Sequence, residues 1–294
     1  MGENEQQAAA AAPASTLPGR VGVYGGGRMG AGIAHAFLVS GSRVVVVEGD
    51  DALAEAARAR VTTSIGRAAE RGLLPGTADR VLSGLTVTTT PADLAGCGLV
   101  VEAVPEDTVL KLEVLRRAEQ SAPDAVLATN TSSLSVSALA AELRVPERFV
   151  GLHFFNPVPA SDLVEVVVGR QTADDLVEQA RGWVTALGKT GITVQDSPGF
   201  ASSRLGVAIA LEAMRMVQEG VASAQDIDTA MTLGYRHPVG PLRTTDIVGL
   251  DVRLAIAEHL AQEIGPRFAP PQVLRDKVAA GELGRKTGRG FYDW

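Results

Sequence analysis

The chain has 294 residues, of which 46% are hydrophobic and 21% charged, and its formal net charge is −7. That length fits about two domains, and the composition is globular rather than disordered or fibrous. An acidic balance speaks against a nucleic-acid partner. The single cysteine, Cys97, rules out an internal disulfide, and four histidines with no Cys/His cluster leave no metal site of the usual ligand spacing. No apolar run nears the roughly 18 residues of a membrane span, so a reducing, cytoplasmic compartment is expected.

In chain order, residues 1–18 contain no Lys or Arg, carry only Glu3 and Glu5 as charges, and are rich in Ala, Gln, Ser, Thr and Pro. They lack the basic residues of a secretory or transit signal and predict a disordered tail. From Arg20 onward, β-branched runs alternate with amphipathic windows, the pattern of strand-helix-strand units around a parallel sheet. Strands are expected at Arg20–Tyr24, Arg43–Glu48, Leu85–Thr88, Gly98–Glu102, Ala125–Thr129, Phe149–Phe155 and Leu163–Val168, and helices at Met29–Ser40, Asp51–Arg71 and Thr108–Ser121. Gly41 and Gly72 are placed as helix stops. The last two strands are separated only by a turn-rich run from Asn156 to Asp162, too short for a crossover helix, so they predict an antiparallel hairpin. After Asp196 the strand signal disappears. Helical windows follow at Phe200–Glu219, Ala224–Leu233, Gly249–Ile264 and Pro271–Ala280, with Ser223 and Asp226 in an N-cap arrangement. The expectation is an α/β doubly wound domain over residues 19–196 and an all-helical domain over 197–294.

Gly25, Gly27 and Gly30, with Arg28 and Met29 between the last two, form a GxGxxG immediately after the first strand and at the head of the first helix. Glycine is required there for a tight turn, for close approach of a pyrophosphate and for packing of helix on strand. Glu48 follows at the end of the next strand, where a carboxylate can accept bonds from an adenosine ribose and would repel a 2′-phosphate. These features predict NAD rather than NADP. Read otherwise, the glycines are a plain turn and Glu48 a helix-initiating carboxylate.

Among the histidines, His35 and His259 fall within helices and His237 precedes Pro238 in a loop. His153 stands at a strand end, where sheets of this type place ligands, and Glu165 interrupts an otherwise apolar strand twelve residues on. If the two strands pair, the carboxylate can fix the tautomer of an imidazole that removes a hydroxyl proton as hydride leaves carbon. The alternative is a buried structural His/Glu pair.

With these motifs in order, the sequence resembles the L-3-hydroxyacyl-CoA dehydrogenases, and the bacterial 3-hydroxybutyryl-CoA dehydrogenases in particular. The resemblance rests on Val23–Gly32, Val100–Asp107, Asn130–Leu134, Gly151–Pro159, Leu163–Val167, Asp196–Phe200, His237–Leu250 and Gly284–Tyr292. It implies a Rossmann-type sheet domain, a helical domain that forms a homodimer, and NAD-dependent oxidation of a 3-hydroxyacyl thioester in a cleft between the two. His153 then matches the general base, Glu165 its partner, and Ser132 the serine on the reacting oxygen. Read alone, Ser132 is an N-cap for a helix beginning near Ser133. Glu106, Lys111, Asn130 and Asn156 match positions around the nicotinamide half of the cofactor. Ser64 and Arg71 match coenzyme A contacts, with Arg71 in place of a lysine.

One position departs from the pattern. Ser203, in the run Gly199-Phe200-Ala201-Ser202-Ser203-Arg204, occupies the place of an Asn that holds the thioester carbonyl. A serine is shorter and offers one donor. That substitution keeps two other readings open: a relative that acts on an acyl-carrier-protein thioester or free hydroxy acid, and a non-catalytic NAD-binding protein.

Overall fold

The computed structural model describes residues 16–294, so most of the tail expected over residues 1–18 lies outside the described residues. The chain divides into two compact units that meet in sequence between Asp196 and Ser197.

The first unit is an eight-stranded sheet with helices. Its elements are β1 (Arg20–Tyr24), α1 (Arg28–Val39), β2 (Arg43–Val47), α2 (Asp51–Glu70), α3 (Ala78–Leu82), β3 (Leu85–Thr88), β4 (Leu99–Glu102), α4 (Thr108–Ser121), β5 (Val126–Thr129), α5 (Val136–Ala140), β6 (Phe149–Phe154), β7 (Leu163–Val168), α6 (Asp174–Ala186) and β8 (Thr190–Gln195). The strand order is β3-β2-β1-β4-β5-β6-β7-β8. All neighbours pair in parallel except β6 and β7, which form the expected antiparallel hairpin. Val44 to Val47 of β2 and the whole of β4 are buried, as strands covered on both faces must be. Gly41 and Gly72 adopt φ +96° and +67° after α1 and α2, the left-handed conformation that ends a helix cheaply in glycine.

Several elements lie outside the sequence reading, among them α3, β8 and α6. Strand β8 closes the sheet as an edge strand, half exposed along its length and interrupted by Gly191, so it lacks the apolar run that marked the inner strands. Helix α6 buries Leu176, Ala180, Trp183 and Val184, and it makes the crossover that a parallel β7-β8 pair needs.

The second unit is helical throughout: α7 (Ser202–Gln218), α8 (Ala224–Thr229), α9 (Pro241–Val248), α10 (Leu250–Glu263) and α11 (Gln272–Ala279). Helix α9 is likewise unanticipated, short and opened by Pro241. The single window expected over Ala224–Leu233 divides into α8 and a π-helical turn, Ala230–Gly234. Ser223 caps α8, its Oγ accepting from the Asp226 N–H at 3.1 Å. A separate apolar core, including Met214, Leu242, Leu250, Leu260 and Leu274, holds these helices together. The C-terminus is pinned by Asp246, which accepts from the Phe291 and Tyr292 N–H groups and from the Trp294 indole, each at 2.9 Å.

Candidate active site

The glycine loop joins β1 to α1. Gly25 has φ +91°, and a Cβ there would stand 3.0 Å from the backbone of Ala103. At Gly30 a Cβ would fall 1.8 Å from the Gly25 carbonyl oxygen, so helix and strand can approach only as glycines. Gly27 differs, because it is the N-cap of α1 and a Cβ there meets nothing within 4 Å. No acidic residue occupies the first turn, which Arg28 opens, followed by Met29. Open space, backbone N–H groups and the positive end of a helix are what a pyrophosphate needs. Just past β2, Glu48 Oε1 accepts from the Gly26 N–H at 2.6 Å. A carboxylate has about four acceptor sites, so that bond leaves capacity for ribose hydroxyls. Helix initiation is the work of a different residue, Asp50, whose side chain caps α2. The chain's donor set thus fits a dinucleotide.

A second cluster gathers the loops after β4 and β5. Lys111, 1% exposed on α4, places Nζ 2.7 Å from Glu102 Oε1 and 3.2 Å from Glu106 Oε2. Glu106 Oε1 accepts from Thr131 Oγ1, from the Ser132 and Ser133 N–H groups and from Ser133 Oγ at 2.6–3.0 Å. Burial alone would raise the Glu106 carboxyl, but the hydrogen bonds from Thr131, Ser133 and Ser132 and the Lys111 charge hold it below its ordinary range. Ser132 is therefore not the helix cap, since α5 begins at Val136 with Ser135 as its cap. The Asn130 side-chain carbonyl accepts from the Phe154 N–H at 2.9 Å and ties the end of β5 to the end of β6.

Register puts His153 of β6 directly opposite Glu165 of β7, with His153 Nδ1 2.7 Å from Glu165 Oε2. Both are buried, Glu165 completely. Phe155 lies against the imidazole with ring centroids 4.5 Å apart, and exposed Asn156 follows in the turn with a cis bond to Pro157. The glycine loop, Glu48, the Glu106 cluster, Asn130 and His153 thus all stand at or just beyond the C-terminal ends of parallel strands, the edge of a doubly wound sheet that receives ligands.

The residues matched to coenzyme A lie on α2. Ser64 Oγ is 2.9 Å from Nδ1 of buried His35 on α1, and Arg71 is the exposed C-cap of α2. Ser203 lies in the second unit, partly exposed in the first turn of α7. Sequence reasoning missed Glu102 and Thr129, whose hydroxyl donates to Glu102 Oε2 at 2.7 Å. The available signal was a carboxylate ending the apolar strand β4.

Known proteins share the sequence and fold of this chain. Residues 20–197 match the NAD binding domain of 3-hydroxyacyl-CoA dehydrogenase, and residues 199–294 match its C-terminal domain. The chain belongs to the 3-hydroxyacyl-CoA dehydrogenase family. A 3-hydroxybutyryl-CoA dehydrogenase of Mycobacterium tuberculosis is 42% identical over 280 residues, covering 94% of this chain and 98% of that protein. The mitochondrial hydroxyacyl-coenzyme A dehydrogenase of Sus scrofa is 37% identical, covering 97% of this chain and 94% of its own length. Among solved structures, the (S)-3-hydroxybutyryl-CoA dehydrogenase of Ralstonia eutropha superposes with a TM-score of 0.90 at 40% identity, covering 95% of this chain and 99% of that one. The family assignment accounts for the Rossmann-type sheet, the helical second unit and the NAD-binding loop together.

Proposed function

We propose that the protein is an NAD-dependent dehydrogenase that interconverts an (S)-3-hydroxyacyl-CoA and its 3-oxoacyl-CoA, with His153 as the base. The observation that carries the reading is the buried His153–Glu165 pair, 2.7 Å apart, on the sheet edge that also bears the dinucleotide loop. Glu165 accepts a hydrogen bond from the Nδ1–H, which leaves Nε2 as the atom that takes the substrate hydroxyl proton. The carboxylate also stabilises the imidazolium formed by that transfer. Ser132, set in place by Glu106, orients the hydroxyl. Gly25, Gly27, Gly30, Arg28, Met29 and Glu48, with Glu106, Lys111, Asn130 and Asn156 toward the nicotinamide, would hold NAD, which when bound would supply the hydride acceptor. Ser64 and Arg71 engage coenzyme A, and Ser203 the thioester carbonyl.

The protein works as a cytoplasmic homodimer associated through the helical unit. No helix among the described residues is long and apolar enough to cross a membrane.

His153→Gln tests the base. NADH binding, followed by fluorescence titration, stays close to that of the unaltered protein, while turnover of acetoacetyl-CoA falls by about 10²- to 10⁴-fold. Unchanged turnover would remove His153 from that role. Loss of NADH binding would point instead to a structural His/Glu pair.

A further inference from the structure

Glu102 ends β4 and is 1% exposed, a buried carboxylate that no step of the proposed reaction uses. Its Oε1 accepts from the Val104 N–H and from Lys111 Nζ, each at 2.7 Å, and its Oε2 accepts from the Thr129 hydroxyl at 2.7 Å. Lys111 is equally buried, and its Nζ also lies 3.2 Å from the Val104 carbonyl and 3.2 Å from Glu106 Oε2. An ammonium has three donors, and three acceptors surround this one, so Lys111 is fully engaged within the protein. A buried ion pair adds little to stability, because desolvating two charges costs about what their attraction returns. What the arrangement does provide is charge: one ammonium between two carboxylates leaves a single negative charge in excess.

The strand order indicates what meets that charge. From β1 the sheet runs through β2 and β3 on one side and through β4 to β8 on the other, so the order reverses between β1 and β4. A dinucleotide lies across the crevice at such a point, one half to each side. Glu48 stands just past β2 for the adenosine half, and the nicotinamide half then falls to the side of β4 and β5, which Glu102 and Thr129 end. The nicotinamide ring is cationic in NAD and neutral in NADH, so an excess charge beside it acts differently on the two.

We propose that Glu102 is a positioning residue that sets the balance between oxidised and reduced cofactor: it fixes Lys111, and its charge turns the cluster net negative, which favours NAD relative to NADH. This rests on the dehydrogenase reading, with the nicotinamide toward Glu106 and Lys111. Buried charges interact through a low effective dielectric and are little screened by salt, so Glu102 acts without contact. The same bias eases release of NADH, the reduced product of the oxidative direction.

The test measures two dissociation constants in the absence of substrate, that of NADH by fluorescence titration and that of NAD by displacement of NADH. Glu102→Gln preserves shape, since the amide oxygen still accepts from Val104 and Lys111 while the Thr129 hydroxyl turns to accept from the amide nitrogen. It raises the ratio of the NAD constant to the NADH constant by about 3- to 10-fold, the scale of one partly screened charge. Combining Glu102→Gln with Lys111→Met restores the single excess negative charge and brings the ratio back toward that of the unaltered protein. Equal weakening of both nucleotides by Glu102→Gln overturns the inference, because a merely structural carboxylate would act that way, and so does a ratio that stays raised in the double variant. Glu106→Gln, at a side chain 36% exposed, removes the other carboxylate and moves the ratio in the same direction; an unmoved ratio there overturns the inference even if Glu102→Gln fails to fold. Binding of neither nucleotide by the unaltered protein overturns the dehydrogenase reading as well.

Discussion

Ser203 is the residue at which the chemistry of this chain most plainly parts from the pattern it resembles. An amide there would reach about one heavy atom further than the hydroxyl and would still donate, so the two residues differ in reach more than in kind. A donor aimed at a developing oxyanion is worth about 3 kcal/mol. Ser203→Asn is therefore expected to raise kcat/KM for acetoacetyl-CoA by up to about 10²-fold, with the NADH dissociation constant unchanged. A fall would show that the serine is fitted to another substrate shape, and no change would remove position 203 from contact with the reacting thioester. Glu106 makes the opposite point, because its position is over-determined. One oxygen collects donors from Thr131, Ser132 and Ser133 while the other faces Lys111, so a single carboxylate fixes the backbone of the loop that carries Ser132.

At the scale of elements, α1 and α2 are joined by the partly buried contact of His35 Nδ1 with Ser64 Oγ. Burial, with a smaller contribution from the Lys189 charge, lowers the pKa of His35 below its ordinary value of 6.5. A depressed histidine is neutral in the fold and takes up a proton on unfolding, so its contribution is complete above pH 6.5 and is lost as pH falls from there toward the folded pKa. Thermal denaturation should show Tm falling by a few degrees per pH unit below pH 6.5, and His35→Gln should flatten that slope. An identical slope in the variant would assign it to other groups. Elements also decide what the sequence could disclose. The inner strands are legible because parallel strands covered on both faces must be apolar runs, and the hairpin because seven residues between Phe155 and Leu163 exclude a crossover. The pairing of His153 with Glu165 follows from that hairpin. Strand β8 escapes because an edge strand needs no apolar run. Glu102, Thr129 and Lys111 come together from two strand ends and a helix, an assembly that no local spacing reports.

Across the whole molecule, a net charge of −7 stands against anionic ligands, and the proposed function places the compensation in local fields: the head of α1 with Arg28, the buried Lys111 and, for coenzyme A, Arg71 at the end of α2. The distribution of exposed apolar residues is equally uneven. Ten of the thirteen exposed large apolar side chains among the described residues lie in the helical unit, which is about a third of the chain, and Leu233 and Tyr235 are 79% and 77% exposed. Scattered apolar residues need no explanation, but a concentration of this kind marks a surface meant to be covered. A second copy of the chain is the occupant that the homodimer reading supplies, and an isologous pair would bury the same residues twice. Light scattering coupled to size exclusion at micromolar concentration should therefore give the mass of two chains, and Leu233→Asp combined with Tyr235→Ser should give the mass of one. Both substitutions lie outside the core of the helical unit, so the variant keeps its circular dichroism. A single-chain mass for the unaltered protein would refute the dimer, and an unaltered two-chain mass in the variant would move the interface to another face of the helical unit.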